Sequence, residues 1–221
     1  MKKRLFYYLL MLALLGSCAA LEPKREVVDN ILSSNSPKMR VKVDPAFKYL
    51  GDVRYGIGIY DTYKNRWLLQ QGKCHAFVFV TAEETMIKKV LVIDIRKRKG
   101  TWTWLSDQTS DVENILDQGK LRLAGKRFQY YSKVVRTTMR DRVVEYVYHK
   151  GYTTPTYGLK TRIVRVLHAG KTLISFDYLE KIPFSRFGYS TWSNKDDLYD
   201  EQLNWLEVSK KHAMASFEIL K

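Results

Sequence analysis

Two cysteines, four histidines and one acid inside an apolar run are the residues with which this chain could do chemistry. His75, His149, His168 and His212 are isolated from one another. No two sit at metal-ligand spacing and no His-Glu-x-x-His occurs. Each is expected at a strand edge or on the surface. No Gly-x-Ser-x-Gly elbow presents a serine nucleophile. Cys74 opens the apolar stretch Ala76-Phe77-Val78-Phe79-Val80 and is expected as a buried, inert thiol. His75, its neighbour, would point to the opposite face of a strand. Gly56-x-Gly58 lacks the third glycine and the following helix of a phosphate-binding turn. Asp94 lies between Ile93 and Ile95 on the strand face that carries Arg96, so an ion pair with Arg96 is expected. The alternative is a buried carboxylate with a raised pKa. No catalytic residue, metal site or cofactor is predicted, and the chain reads as a non-enzyme.

Cys18 differs in kind, because its setting points to modification. Lys2-Lys3-Arg4 is followed by the almost wholly apolar run Leu5 to Leu15. That run has the length of a signal-peptide core and is well short of the roughly 20 residues that span a bilayer. Leu15-Gly16-Ser17-Cys18 resembles the cleavage motif of bacterial lipoproteins, and this resemblance covers the first 18 residues. It implies lipid attachment to the Cys18 sulfur, cleavage before Cys18 and acylation of the new amine. Two or more acyl chains make a durable anchor, since each buried methylene contributes about 0.8 kcal/mol. Ala19, rather than aspartate, follows the cysteine, which by the sorting pattern of such lipoproteins implies the outer membrane rather than the inner.

The chain carries 38 Lys and Arg against 23 Asp and Glu. Losing the three cations of residues 1–17 leaves 35 against 23, a net charge of +12. Such an excess suits anionic neighbours: lipid headgroups, lipopolysaccharide or another envelope protein. Nucleic acid is not expected as a partner of an exported, tethered chain. With Cys18 acylated, Cys74 has no partner for an intrachain disulfide, so the fold must stand on its core.

The expected organisation is a leader over residues 1–17, a lipidated N-terminus and tether over 18–38, and a single globular α+β domain over 39–221. Val27, Val28, Ile31 and Leu32 are compatible with a short helix packing back from the tether. From Met39 onward short β runs alternate with turn residues. The run around Phe77 and the run Val90 to Ile95 read as strands covered on both faces. Arg96-Lys97-Arg98-Lys99-Gly100 reads as a charged turn, followed by a strand with Trp102 and Trp104 on one face. Ser110-Asp111-Val112-Glu113 predicts a brief capped helix ending before Gly119. Val144, Tyr146 and Tyr148 alternate as in a strand. Ile163 to Leu167, the turn His168-Ala169-Gly170-Lys171 and Leu173 to Leu179 form the clearest hairpin, with Ile174, Phe176 and Tyr178 buried and Ser175 and Asp177 facing out. A helix capped by Ser193 or Asn194 then presents Leu203, Leu206 and Ala213, and Ser216-Phe217-Glu218-Ile219 can leave it as a last strand.

The order of these closing elements, over Val143 to Tyr148, Ile163 to Leu179 and Asp196 to Ile219, resembles the PsbP-like α+β family. The resemblance implies an antiparallel sheet with a short mid-chain helix and a C-terminal helix packed on it, and a non-catalytic accessory role. No site residues transfer with it. A lipocalin-like β-barrel is the rival architecture, since Gly100-Thr101-Trp102 matches a Gly-x-Trp signature, although here it falls mid-chain.

Two loops combine rings with hydroxyls and an Arg: one holds Tyr152 and Tyr157, the other Arg186, Phe187, Tyr189 and Trp192. They are expected either to bind a partner or to turn inward and close the core. The resulting expectation is an envelope lipoprotein acting as a binding or accessory module with a basic surface. A lipid- or small-ligand carrier is the alternative. A hydrolase of envelope polymers is a third reading, with no catalytic set to carry it.

Overall fold

The computed structural model describes residues 22–61, 66–100, 103–104, 112–139, 141–182, 189–192 and 194–221. Cys18 and the leader lie outside them, as do Arg186 and Phe187.

Eleven strands and two helices follow one another among the described residues. β1 (Arg25–Val28), β2 (Ile31–Asn35) and β3 (Lys38–Val43) form a meander. Asp29 and Asn30 both adopt positive φ at its first turn, a conformation these two residue types tolerate. β4 (Lys48–Asp61), β5 (Arg66–Glu83) and β6 (Met86–Arg98) are long, and β7 (Asp117–Leu123) pairs with β8 (Lys126–Arg136). Helix α1 (Arg142–His149) leads to the β9 (Tyr157–Leu167) and β10 (Thr172–Lys181) hairpin. Helix α2 (Asp200–Ala215) then runs into β11 (Phe217–Leu220).

The strands make two sheets whose ladders are antiparallel throughout. One has the order β1-β2-β3-β11 and the other β4-β5-β6-β10-β9-β8-β7. The larger sheet is open, with β4 and β7 as its two ends, so the barrel alternative is corrected to an open, sheet-rich α+β architecture.

The layers follow from strand alternation. On one face Phe77, Phe79, Leu91, Ile93 and Ile95 pack against Leu32, Val41 and Val43 of the small sheet. Phe176 stacks flat on Phe217, with ring centroids 4.1 Å apart. Helix α2 lies against β9 and β10 on that same face, burying Gln202, Leu206, Ser209 and Ala213. On the other face Cys74, Ala76, Val78, Val80 and Val92 pack with Val147 of α1. β5 and β6 are thus covered on both sides, as their unbroken apolar runs require.

Several expectations are corrected. Residues 25–38, taken as tether or helix, are strand and turn, because Leu32 and Ser34 alternate inward in β2. Val112 to Leu116 forms no helix. Leu116 instead turns into the core and its backbone N–H donates to Ser132 O. The short helix is α1, where a strand was expected. Asp141 accepts a hydrogen bond from Val143 N at 2.8 Å and Gly151 takes φ +84 just past its end, so both termini are capped. Arg96, Lys97 and Arg98 continue β6 rather than turn, and Thr103 and Trp104 lie outside any strand. Asn194 caps a separate 3-10 turn, Lys195–Asp197, while Tyr199 precedes α2 and its N–H is held by Gln202 Oε1.

Candidate functional site

The large sheet's α1 face divides into an apolar end and a charged end. Strand register sets this division. Asp94, Ser175, Val164, Gln129 and Lys120 lie in one row across β6, β10, β9, β8 and β7. The adjacent row is Val92, Asp177, Arg162, Tyr131 and Gln118. Cross-strand partners share a face, so Lys133 with Lys160, and Arg122 with Arg127, stand on this face too. Arg96 lies two residues beyond Asp94 on β6, on the same side.

Two acids sit inside this cationic field. Ser175 and Asp177, expected to face out, are both buried, at 0% and 7% relative exposure, because this face is covered as well. Asp177 takes Arg162 Nε on one oxygen at 2.6 Å and Arg162 Nη2 on the other at 2.5 Å. Lys160 Nζ adds a third contact at 2.9 Å. Burial would push the Asp177 carboxyl up, but Arg162 and Lys160 hold it well below the usual carboxylate range. Asp94 pairs with Arg96 as expected, through Arg96 Nε at 3.1 Å and Nη2, both on Oδ2. Its other oxygen, Oδ1, is buried and has no hydrogen-bonding partner among the described residues. Burial pushes the Lys133 amine down, and Lys160 and Arg162 beside it push the same way.

Between this charged row and α1 lies a cavity of about 310 Å³. Val90, Val92, Leu179 and the α1 residues Val143, Val144 and Val147 line one side; Asp94, Arg96, Lys160, Arg162 and Asp177 line the other. A shallower groove of about 570 Å³ runs past Lys120, Arg127 and Gln129 toward His168.

Cys74 is buried, with Tyr55 and Arg96 in hydrogen-bonding contact with its sulfur. Burial, then Asp94, push its thiol up to about 12, so it carries no nucleophilic thiolate near neutrality. His75, expected at a strand edge or on the surface, is instead buried in β5, on the opposite face. Its Nε2 meets Asp52 Oδ2 at 2.7 Å, and its Nδ1 accepts from Arg25 Nη1 at 3.3 Å. That pattern fixes a neutral ring donating through Nε2, and burial lowers its pKa accordingly. His212 Nδ1 lies 3.0 Å from Glu180 Oε2, to which Tyr178 also donates at 3.0 Å, so His212 joins a buried pair rather than standing alone. His149 and Glu145 line one exposed groove, where Glu145 is held by Arg142 at 2.9 Å. Among the described residues no three His, Cys, Asp or Glu side chains group to hold a metal, and no helix is long and apolar enough to cross a membrane.

Among the described residues, Tyr152, Tyr157 and Trp192 of the two loops do not converge. Trp192 is buried against Leu116, Val134, Leu159 and Leu206, closing the core. Tyr152 packs beside the α1 cluster, its hydroxyl accepting from Lys48 Nζ at 3.3 Å. Tyr157 opens β9 opposite Arg136. Tyr189 begins a 3-10 turn that ends at Trp192. The residues missed by sequence reasoning are Lys160, Arg162 and Asp177. Their signal was present as alternating cations in Lys160-Thr161-Arg162 opposite an acid in an otherwise apolar strand. Comparison with protein-family models, curated proteins and solved structures returns no match to this chain.

Proposed function

We propose that this chain is a lipid-anchored envelope protein that acts as a non-catalytic binding module, engaging anionic surfaces through the charged end of its large sheet. The anchor reading rests on Lys2-Lys3-Arg4, the apolar run and Leu15-Gly16-Ser17-Cys18, and Ala19 favours the outer membrane. The observation that carries the binding reading is the one-sided placement of cations. Lys120, Arg122, Arg127, Lys133, Lys160 and Arg162 share one face of β7, β8 and β9, with Asp94 and Asp177 the acids in the adjoining β6 and β10 rows and Glu113 near Lys133. Lys120, Arg122 and Arg127 are exposed and suit phosphate-bearing lipid or lipopolysaccharide.

The test has two parts. Incorporation of a fatty-acid analogue is expected in the wild type and lost in Cys18→Ala; equal label in both would remove the anchor. Neutral phosphatidylcholine vesicles carrying the lipidated protein are then mixed with acceptor vesicles rich in phosphatidylglycerol. Tethering is expected, weakening with salt and lost in Lys120→Glu/Arg122→Glu/Arg127→Glu. Tethering that ignores acceptor charge would sink the basic-face reading.

A further inference from the structure

We propose that the cavity beneath α1 binds an amphipathic monoanion that carries a hydroxyl or N–H next to its charged group. This site is distinct from the exposed cations above and does not depend on the anchor.

Three observations define the ligand. The first is size: about 310 Å³ falls at the lower end of small-molecule sites and is about twice the 150 Å³ void that accepts benzene. A ligand of roughly a dozen heavy atoms fits that space. The second is the division of the walls. Val143, Val144 and Val147 of α1, with Val90, Val92 and Leu179 of the sheet, make an apolar side suited to a short alkyl chain. The third is the polar inventory of the floor. Arg96 commits Nε and Nη2 to Asp94, and Arg162 commits Nε and Nη2 to Asp177. Four cations line the cavity, Arg96, Arg136, Lys160 and Arg162, against three acids, Asp94, Asp141 and Asp177, leaving one positive charge in excess. One anionic group balances it.

Asp94 adds the requirement for a donor. Its side chain is only 3% exposed, its Oδ2 is taken by Arg96, and its Oδ1 is buried without a partner. A carboxylate oxygen left in that state costs free energy that a hydroxyl or N–H restores. An ammonium is disfavoured because Arg96 and Arg162 stand beside it. The same chemistry occurs in a free medium-chain hydroxy acid.

The test is calorimetric titration of the full lipidated chain in phosphatidylcholine nanodiscs, with empty nanodiscs as the reference. The probes are 3-hydroxyoctanoate, octanoate and octylammonium. One saturable site is expected for 3-hydroxyoctanoate. Octanoate, lacking the donor, is expected about tenfold weaker than its hydroxy form, consistent with loss of a hydrogen bond to a charged group. Val144→Phe, which fills the apolar side, is expected to weaken binding about tenfold or more, and Lys160→Met severalfold. Should Val144→Phe fail to fold, Lys160→Met and the probe series still decide. Absence of a saturable site for 3-hydroxyoctanoate, equal affinity for octylammonium, or binding untouched in a folded Val144→Phe or in Lys160→Met would overturn the proposal.

Discussion

Arg162 clasps both carboxylate oxygens of Asp177 across the β9–β10 pair, at 2.6 and 2.5 Å. Lys160 closes on the same acid from the next row at 2.9 Å. Asp177→Asn strands two cations in a covered site, and a stability loss of about 3–5 kcal/mol is expected. Replacing the pair together, as Asp177→Leu/Arg162→Met, should cost less than the single change. Urea midpoints for the three proteins check the order.

The same pairing sets an acid limit. Asp177 has a folded pKa held below its unfolded value near 3.8, so its contribution is fully present above that value and fades as pH falls through it. Wild-type stability should drop steeply below about pH 4, and the drop should be shallower in Asp177→Asn. A series of urea melts between neutrality and pH 3 measures the slope.

His75 gives a second dependence in a different range. Its pKa is lowered from 6.5 by burial, with Arg54 and Arg25 outweighed in part by Asp52. Because the unfolded chain takes up the proton first, stability should decline as pH falls below about 6.5, until the folded ring also protonates. His75→Gln should remove that decline while leaving the lower, carboxylate-driven one.

Gly51 and Tyr146 are tied. Gly51 has φ +128, and a Cβ there would collide with the Tyr146 hydroxyl, which donates to Leu50 O at 3.0 Å. Gly51→Ala is expected to cost about 2 kcal/mol or more, and Tyr146→Phe about 1 kcal/mol. Their sum should exceed the double variant's loss, because removing the hydroxyl relieves the clash. Thermal melts of the four proteins in the cycle test it.

Cys74 should be silent to thiol reagents until the chain unfolds. In native protein at pH 8, reaction with a disulfide reagent is expected at least about a hundredfold slower than in guanidinium, given a thiol pushed up to about 12 and buried. The denatured protein should titrate one thiol per chain if Cys18 is acylated. Two thiols would contradict the proposed anchor.

Sequence patterns disclosed the parts of this fold whose signals are local. The β9–β10 hairpin follows from its turn, where His168, Ala169 and Gly170 all take positive φ. The Asp94–Arg96 pair follows from two residues on one strand face. Helix α1 was illegible because Val144, Tyr146 and Tyr148 satisfy a period of two as readily as Val143 and Val147 satisfy a helical turn. In so short a segment the cap at Asp141 decides. The charged floor was illegible for another reason. Asp177 meets Arg162 only through strand register, and nothing local says that both faces of β10 are covered.

β11 is the last of the described elements along the chain, yet it completes a sheet whose other three strands come first, pairing Phe217 with Val43 and Ile219 with Val41. A polypeptide emerging N-terminus first therefore holds an unfinished edge until the 174 residues after Val43, up to Phe217, have followed. Its slowest folding step should be the closure of that long loop. On the proposed export route, that delay would keep the chain pliable in a translocation pore, and the finished structure would form only on the far side.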